Sequence, residues 1–333
     1  MNKVGIIGCG KIFPRHIEAI EQNANYRLVG VCDTDEKVLN DIASKHQVKT
    51  FKDYRVMLAD SDMNFVVVSS PNSLHFEQAL YALNSGCNVL IEKPATLNPQ
   101  HLRLLRSAAD TNKQKAYTVL QVRLNSCIQN LKSVIETGLL GEIRGLGLIQ
   151  RWQRPKEYFY DWRGKPFIGG GILHECGIHY LDILCHVFGK PKVSAAKKYN
   201  TKHKGVKIED TVYSILDFGN YGATVEVTIS SEPRNIECSL SVLSENGFIK
   251  LGGKAMNVIE EARFVSEEVA KSVMKVLEGN SQVGIPNSYG SYAGSCPNHP
   301  ELYRKIDKFE LSETSMVLEL IDAIYAKCGV KYY

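Results

Sequence analysis

The sequence predicts an α/β protein in two parts. Residues 1–121 read as a doubly wound parallel sheet, and residues 122–333 as an α+β half on an open, mostly antiparallel sheet. Three observations predict this. Short apolar runs alternate with helical patterns through the first third, as βαβ units require. A glycine turn joins the first run to the first helix. Beyond residue 210, apolar residues recur at every second position, the period of a half-buried antiparallel strand.

The first run, Lys3-Val4-Gly5-Ile6-Ile7, enters Gly8-Cys9-Gly10-Lys11-Ile12-Phe13, and a helix is expected over residues 15–22. Strand, glycine turn and helix are the Rossmann context for a dinucleotide pyrophosphate. Gly8 permits the tight turn, and Gly10 lets the phosphates approach the backbone. Lys11 and Ile12 lead into a helix end with free N–H groups and a positive dipole. Phe13 stands where a third glycine would serve close packing, so local repacking is expected. The next strand, over residues 26–32, ends at Asp33. A carboxylate there accepts both ribose hydroxyls and repels a 2′-phosphate, which favours NAD over NADP. The alternative role for Asp33 is to cap the helix over residues 36–45.

Further strands are expected over residues 64–70, 88–91 and 116–121, with helices between them. Ligands of such sheets bind beyond the carboxyl ends of the strands. Two strand ends therefore stand out. Ser70-Pro71-Asn72 with His75 would line the nicotinamide side, although His75 equally reads as a structural residue at a helix start. Glu92-Lys93-Pro94 comes after three apolar β-formers and would place Lys93 on the floor of a cleft. Taken alone, Lys93 reads as readily as a surface lysine.

In the second half, a helix is expected over residues 126–137 and a strand over 143–152. A loop then interleaves Arg151, Arg154, Lys156, Arg163 and Lys165 with Trp152, Tyr158, Phe159, Tyr160 and Trp162. Such a loop could hold a diphosphate and a flat ring, or be a solvated basic face. The triple glycine 169–171 opens a helix expected over residues 172–184. Glu175, His179 and Asp182 fall at i, i+4 and i+7 and so share one face of a regular helix. Flanking carboxylates would orient His179 for proton transfer; a core histidine satisfied by Asp182 is the alternative. No metal is expected, because His174 and His179 lack the i, i+4 spacing of a shared-face zinc site. Strands come next over 210–219 and 223–230, then a hairpin over 237–251. Its open face needs a cover, most simply a second subunit. Residues 287–299 form a long polar loop, and residues 313–326 a last helix.

Composition bounds the function. With 333 residues, 44% hydrophobic and 23% charged, a sizeable core is possible. A net charge of +4 is too small to argue for nucleic acid, and no apolar run reaches membrane-span length. Nine scattered cysteines without a C-x-x-C pair, and a start that enters a strand directly, lead us to expect a cytoplasmic protein.

These motifs, in this order, resemble the glucose–fructose oxidoreductase/inositol dehydrogenase (Gfo/Idh/MocA) family over essentially the whole chain. The carriers are Gly8-Cys9-Gly10, Ser70-Pro71-Asn72 with His75, Glu92-Lys93-Pro94, Trp162-Arg163-Gly164, the triple glycine and Gly177-x-His179-x-x-Asp182. The resemblance implies NAD as cofactor, Lys93 and His179 as the catalytic pair, and Glu175 and Asp182 in support. Glu175 departs from the family's frequent Asp. A narrower resemblance, to bacterial nucleotide-sugar 3-dehydrogenases acting on UDP-N-acetylglucosaminuronate for lipopolysaccharide, rests on residues 8–16, 121–125, 236–257 and 287–299. It implies a UDP-linked sugar substrate, and the open sheet face leads us to expect a homodimer or homotetramer. Candidate substrate residues are Gln121, Arg123, Arg163, Tyr289, Asn298 and His299. Two other readings are a free-sugar or inositol dehydrogenase (or keto-sugar reductase) and a non-catalytic dinucleotide-sensing regulator.

Overall fold

A computed structural model describes residues 1–60, 62–253, 255–278 and 298–333. The first sheet holds β1 (Asn2–Ile7), β2 (Tyr26–Cys32), β3 (Lys49–Phe51), β4 (Phe65–Val68), β5 (Asn88–Ile91) and β6 (Ala116–Thr118). All are parallel, in the order β3-β2-β1-β4-β5-β6. The strand order reverses between β1 and β4, and a ligand crevice opens at that point. β4 is buried at every residue, and Val89, Leu90 and Ile91 of β5 are fully buried. Helices cover both faces of these strands, so they read as continuous apolar runs rather than alternating ones.

Phe13 opens the first helix, Phe13–Glu21, and is buried against the ring of His46. This is the repacking that the missing glycine requires. The helix Glu36–His46 is capped by Asp35, which accepts from Lys37 N at 2.9 Å. Asp33 is thereby left free of the capping role.

The second sheet holds β7 (Ile143–Arg151), β8 (Lys192–Tyr199), β9 (Thr211–Asp217), β10 (Gly222–Thr228), β11 (Glu237–Ser244), β12 (Gly247–Gly252) and β13 (Val258–Phe264). Its order is β13-β12-β11-β7-β10-β9-β8, antiparallel except for the β7–β10 pair. One face is apolar and buried, with Leu146, Leu148, Val225, Val227, Leu240 and Val242. It packs against the segment that carries His179: a Cβ on Gly177 would lie 3.4 Å from Val227.

The carboxyl end returns to the first sheet. Helix His299–Arg304 packs on Phe13–Glu21, Tyr117 bridges to Glu310, and helix Leu311–Lys327 packs on Pro99–Asn112, Ile178–Phe188 and β8. Residues 298–333 therefore clasp both sheets. Among the described residues no helix is long and apolar enough to cross a membrane.

Candidate active site

The site forms where the carboxyl ends of β1, β4 and β5 meet the loop after β7 and the segment around Glu175. A cleft of ≈ 650 Å³ opens there. On its first wall lie Gly8, Gly10, Lys11 and Ile12, with Asp33 beside them. Gly8 has φ +93°, and a Cβ on it would sit 2.6 Å from the backbone of Ser69 and Ser70. Only glycine meets both demands. A Cβ on Gly10 would meet nothing within 4 Å, so its backbone stands open to a ligand. Asp33 accepts from Cys9 N at 2.7 Å and from Asp35 N at 2.9 Å. These bonds fix its carboxylate at the edge of the turn, and the set fits a dinucleotide: free N–H groups, an approachable glycine and a ribose acceptor.

Ser70, Pro71, Asn72 and His75 line the middle of the cleft. His75 is almost fully buried, and its two ring nitrogens each lie 2.8 Å from a backbone carbonyl, Pro94 O and Ser70 O. Both ring nitrogens face the two loops, where a neutral imidazole donates to one carbonyl at a time, and the ring lines the cleft.

Lys93 and His179 line the same cleft, from opposite halves of the chain. Lys93 Nζ donates to the carbonyl of Glu175 at 2.8 Å and lies 3.8 Å from its carboxylate. His179 is buried, and Nδ1 has no partner among the described residues. Burial, with the Lys93 charge adding to it, pushes the imidazole pKa down to about 3. His179 is therefore neutral at neutral pH, with a lone pair available.

Of the common face expected for Glu175, His179 and Asp182, Glu175 and His179 both line the cleft, whereas Asp182 does not. Leu173–Gly177 is a π-turn, and the regular helix is Ile178–Phe188. A π-turn inserts about one residue per turn, which rotates the residues before it relative to those after it. A direct partner of Glu175 in the cleft is Lys93. Its carboxylate also accepts from Tyr158 Oη at 2.7 Å, Arg163 Nε at 3.3 Å and Asn72 Nδ2 at 3.4 Å. Burial opposes its charge, but Lys93 and Arg163 outweigh that and hold the carboxyl below its usual range. Asp182 is turned away from the cleft and takes a two-pronged bond from Arg123, at 2.7 and 2.6 Å.

Three expected substrate contacts are corrected by these placements. Arg123 is buried and spent on Asp182 and on Glu313 O at 3.1 Å, so it is a core ion pair. Asn298 donates to Gln121 O at 3.2 Å and Asn125 Oδ1 at 3.0 Å, which pins the carboxyl segment to the first half. His299 is buried behind the wall with Nε2 3.4 Å from Glu92. Arg163 lines the cleft, but its guanidinium is engaged by Glu175 and Asp161. Gln121 also lines the cleft, and its Oε1 has no partner among the described residues. Tyr289 lies outside the described residues.

Glu92 joins cleft and core. Its Oε1 faces His16 Nε2 at 3.2 Å as well as His299 Nε2, and its Oε2 accepts from Lys93 N at 3.1 Å. Burial opposes its charge, but the bonds from the two histidines hold it well below its ordinary range. These three side chains bring ligand-type atoms within 4.8 Å of one another. The composition suits a cation, but hydrogen bonds account for each contact, and Tyr303 Oη completes His16 at 2.9 Å. Sequence reasoning gave His16 no role and placed Tyr158 only in the basic, aromatic loop, without its bond to Glu175. The partners of His16 lie 76 and 287 residues away, and the Tyr158–Glu175 bond spans 17 residues.

The basic, aromatic loop divides. Arg151 pairs with Glu226 and Glu237 on the sheet, whereas Arg154, Tyr158, Trp162 and Arg163 face the cleft. Lys156 and Lys165 face a second cavity of ≈ 690 Å³, beyond the loop. Although slightly larger, that cavity has no acid or imidazole in its wall, so the chemistry belongs to the cleft.

Residues 2–120 match the family model described as "Oxidoreductase family, NAD-binding Rossmann fold", and residues 128–250 match "GFO/IDH/MocA C-terminal domain". The chain superposes on the WlbA dehydrogenase of Bordetella pertussis, crystallised with NADH and UDP-GlcNAcA. The TM-score is 0.88 at 27% identity, covering 99% of this chain and 96% of that one. The WlbA dehydrogenase of Chromobacterium violaceum, in the same kind of complex, gives 0.85 at 26%, covering 98% and 94%. The D-glucoside 3-dehydrogenase of Escherichia coli is 28% identical over 240 residues, 66% of this chain and 68% of the relative.

Proposed function

Because the chain belongs to the Gfo/Idh/MocA oxidoreductases, we propose that it oxidises a secondary alcohol of a UDP-linked sugar, at C3 of a UDP-N-acetyl-hexosamine or its uronic acid. It is an NAD-dependent sugar oxidoreductase. The finer reading, with a place in surface-polysaccharide synthesis, is supported by the near-complete superposition on two dehydrogenases crystallised with UDP-GlcNAcA. The observation that carries it is the meeting of Lys93 and His179 in one cleft with the glycine turn and Asp33.

Gly8, Gly10, Lys11 and Ile12 hold the pyrophosphate, and Asp33 the adenosine ribose. When bound, the nicotinamide supplies the hydride acceptor. The alcohol must also lose a proton, and it is far too weak an acid to do so unaided. Lys93 Nζ donates to the alcohol oxygen and stabilises the charge that grows there. The neutral imidazole of His179 takes the proton. A base with a pKa of about 3 suffices, because the oxygen becomes strongly acidic as the carbon–oxygen bond turns into a carbonyl. Glu175 holds Lys93 in place through its carbonyl and balances the charges of Lys93 and Arg163. Gln121 offers an acceptor for a sugar hydroxyl.

Calorimetric titration of the NAD-loaded protein with UDP tests the nucleotide part of this reading. Saturable binding is the expected result. No heat with UDP, together with NADH formation on a free sugar or inositol, would replace it with a free-polyol dehydrogenase.

The partner on the open sheet face is, in this reading, a second copy of the chain. Tyr213, Ile215 and Leu243 project from that face and are 46%, 53% and 51% exposed. They belong to strands of one sheet, and such a patch is costly to leave in water.

A further inference from the structure

Five lysines and arginines line the cleft: Lys11, Lys52, Lys93, Arg154 and Arg163. Three are already matched with carboxylates. Lys52 pairs with Glu36 at 2.9 Å, Lys93 with Glu175, and Arg163 with Glu175 and Asp161. Among the described residues, Lys11 and Arg154 have no carboxylate partner. Lys11 belongs to the glycine turn and so to the dinucleotide phosphates. Arg154 sits at the other end, on the substrate side.

Arg154 is firmly held by everything except its charge. Its N–H donates to Ile229 O at 3.0 Å, and its carbonyl accepts from His203 Nε2 at 2.9 Å. The guanidinium lies 4.8 Å from the Trp152 ring and 5.5 Å from the Tyr158 ring. Nη1 donates to Gln153 O at 2.7 Å, with Asn235 Oδ1 at 3.4 Å. Nε and Nη2 meet no acceptor among the described residues. A guanidinium fixed between aromatic rings with donors to spare is preorganised for a planar, two-oxygen anion. Tyr158 links this fork to the chemistry, since its hydroxyl bonds Glu175, whose carbonyl holds Lys93. Arg154 and Lys93 therefore line one cleft, joined through Tyr158 and Glu175.

Building on the sugar-oxidation reading above, we infer that Arg154 is the specificity-determining residue for a carboxylate carried on the sugar ring, which makes a hexuronic acid the preferred substrate. In the sequence, Arg154 is one of five cations in a basic loop. Only the pairing of its neighbours singles it out.

The test compares kcat/KM for UDP-N-acetylglucosaminuronate and UDP-N-acetylglucosamine in wild type, Arg154→Gln and Arg154→Lys. Loss of a charge-assisted, two-pronged contact predicts that the uronate-to-neutral ratio falls about 10- to 100-fold in R154Q. R154K, which keeps the charge without the fork, recovers part of it. If both substrates lose equally, the ratio holds and Arg154 serves the diphosphate they share; the carboxylate assignment is then overturned. A second arm is independent of turnover: calorimetry of the NADH-loaded protein with D-glucuronate and D-glucose. Glucuronate binds more tightly than glucose to wild type, and the preference disappears in R154Q. A preference that is absent from wild type, or that persists in R154Q, overturns the inference. Failure of wild type to oxidise any UDP-sugar would sink the nucleotide-sugar reading alone, leaving this second arm to decide the role of Arg154.

Discussion

Arg123 and Asp182 are 5% and 1% exposed and bond through two parallel contacts. Removing one member of such a buried pair leaves an uncompensated charge and costs about 3–5 kcal/mol. Arg123→Ala should therefore lower unfolding stability by that amount in a denaturant titration. A stability loss under about 1 kcal/mol, with a large rise in KM, would return Arg123 to the substrate site. This pair also marks what single residues in the sequence can disclose. The place of Lys93 in the cleft was legible because three β-formers run directly into it, and that of His179 because its motif is local. The Arg123–Asp182 bond spans 59 residues, and neither side chain carries a local signal that it is spoken for. Cations and carboxylates near a catalytic motif look alike until their partners are seen, which is why both read as part of the chemistry.

Among the elements, the π-turn Leu173–Gly177 stands out, since it carries Glu175, whose carbonyl accepts from Lys93. Nothing in the spacing of residues 172–184 announces it, because a regular helix and a π-turn differ by one residue per turn. Glu175→Gln keeps the shape but removes the balancing charge, so Lys93 and Arg163 repel. We expect it to lower kcat while NADH affinity is retained, as stopped-flow and fluorescence titration would report; unchanged kcat would contradict the role. The second sheet was legible in its interior, where β9 to β12 alternate at period two. Its edges were not. β8 reads KVSAAKKY and lacks an apolar face, as suits an edge strand guarded by lysines. The open face gives a further expectation. Ile215→Glu with Leu243→Glu should convert the assembly to monomers in native mass spectrometry at micromolar concentration. An assembly unchanged by both substitutions would place the subunit contact elsewhere.

The whole molecule carries an acid liability that stems from its buried imidazoles. Burial pushes His174, His179 and His186 down to about 3, and lowers His16 and His75 as well. Below the ordinary value near 6.5 the unfolded chain binds protons at these positions and the folded chain does not. Stability is therefore present above pH 6.5 and is lost as pH falls toward 3, each histidine contributing up to about 1.4 kcal/mol per pH unit. Melting temperatures measured between pH 7.5 and 4.5 should drop progressively; a flat profile would contradict the burial of these rings. At this scale the order of motifs disclosed both halves and the cleft between them. It did not disclose the clasp formed by residues 298–333, which places Asn298 and His299 behind the cleft wall instead of on the substrate.

In the proposed mechanism an amine and an imidazole from separate halves act on one alcohol. Single-turnover NADH formation from UDP-N-acetylglucosaminuronate, compared between wild type and Lys93→Ala, tests this most directly. We expect the rate to fall about 10²- to 10⁴-fold while NADH still binds the variant. A wild-type rate in the NAD-loaded variant would remove Lys93 from the chemistry and contradict the mechanism built on it.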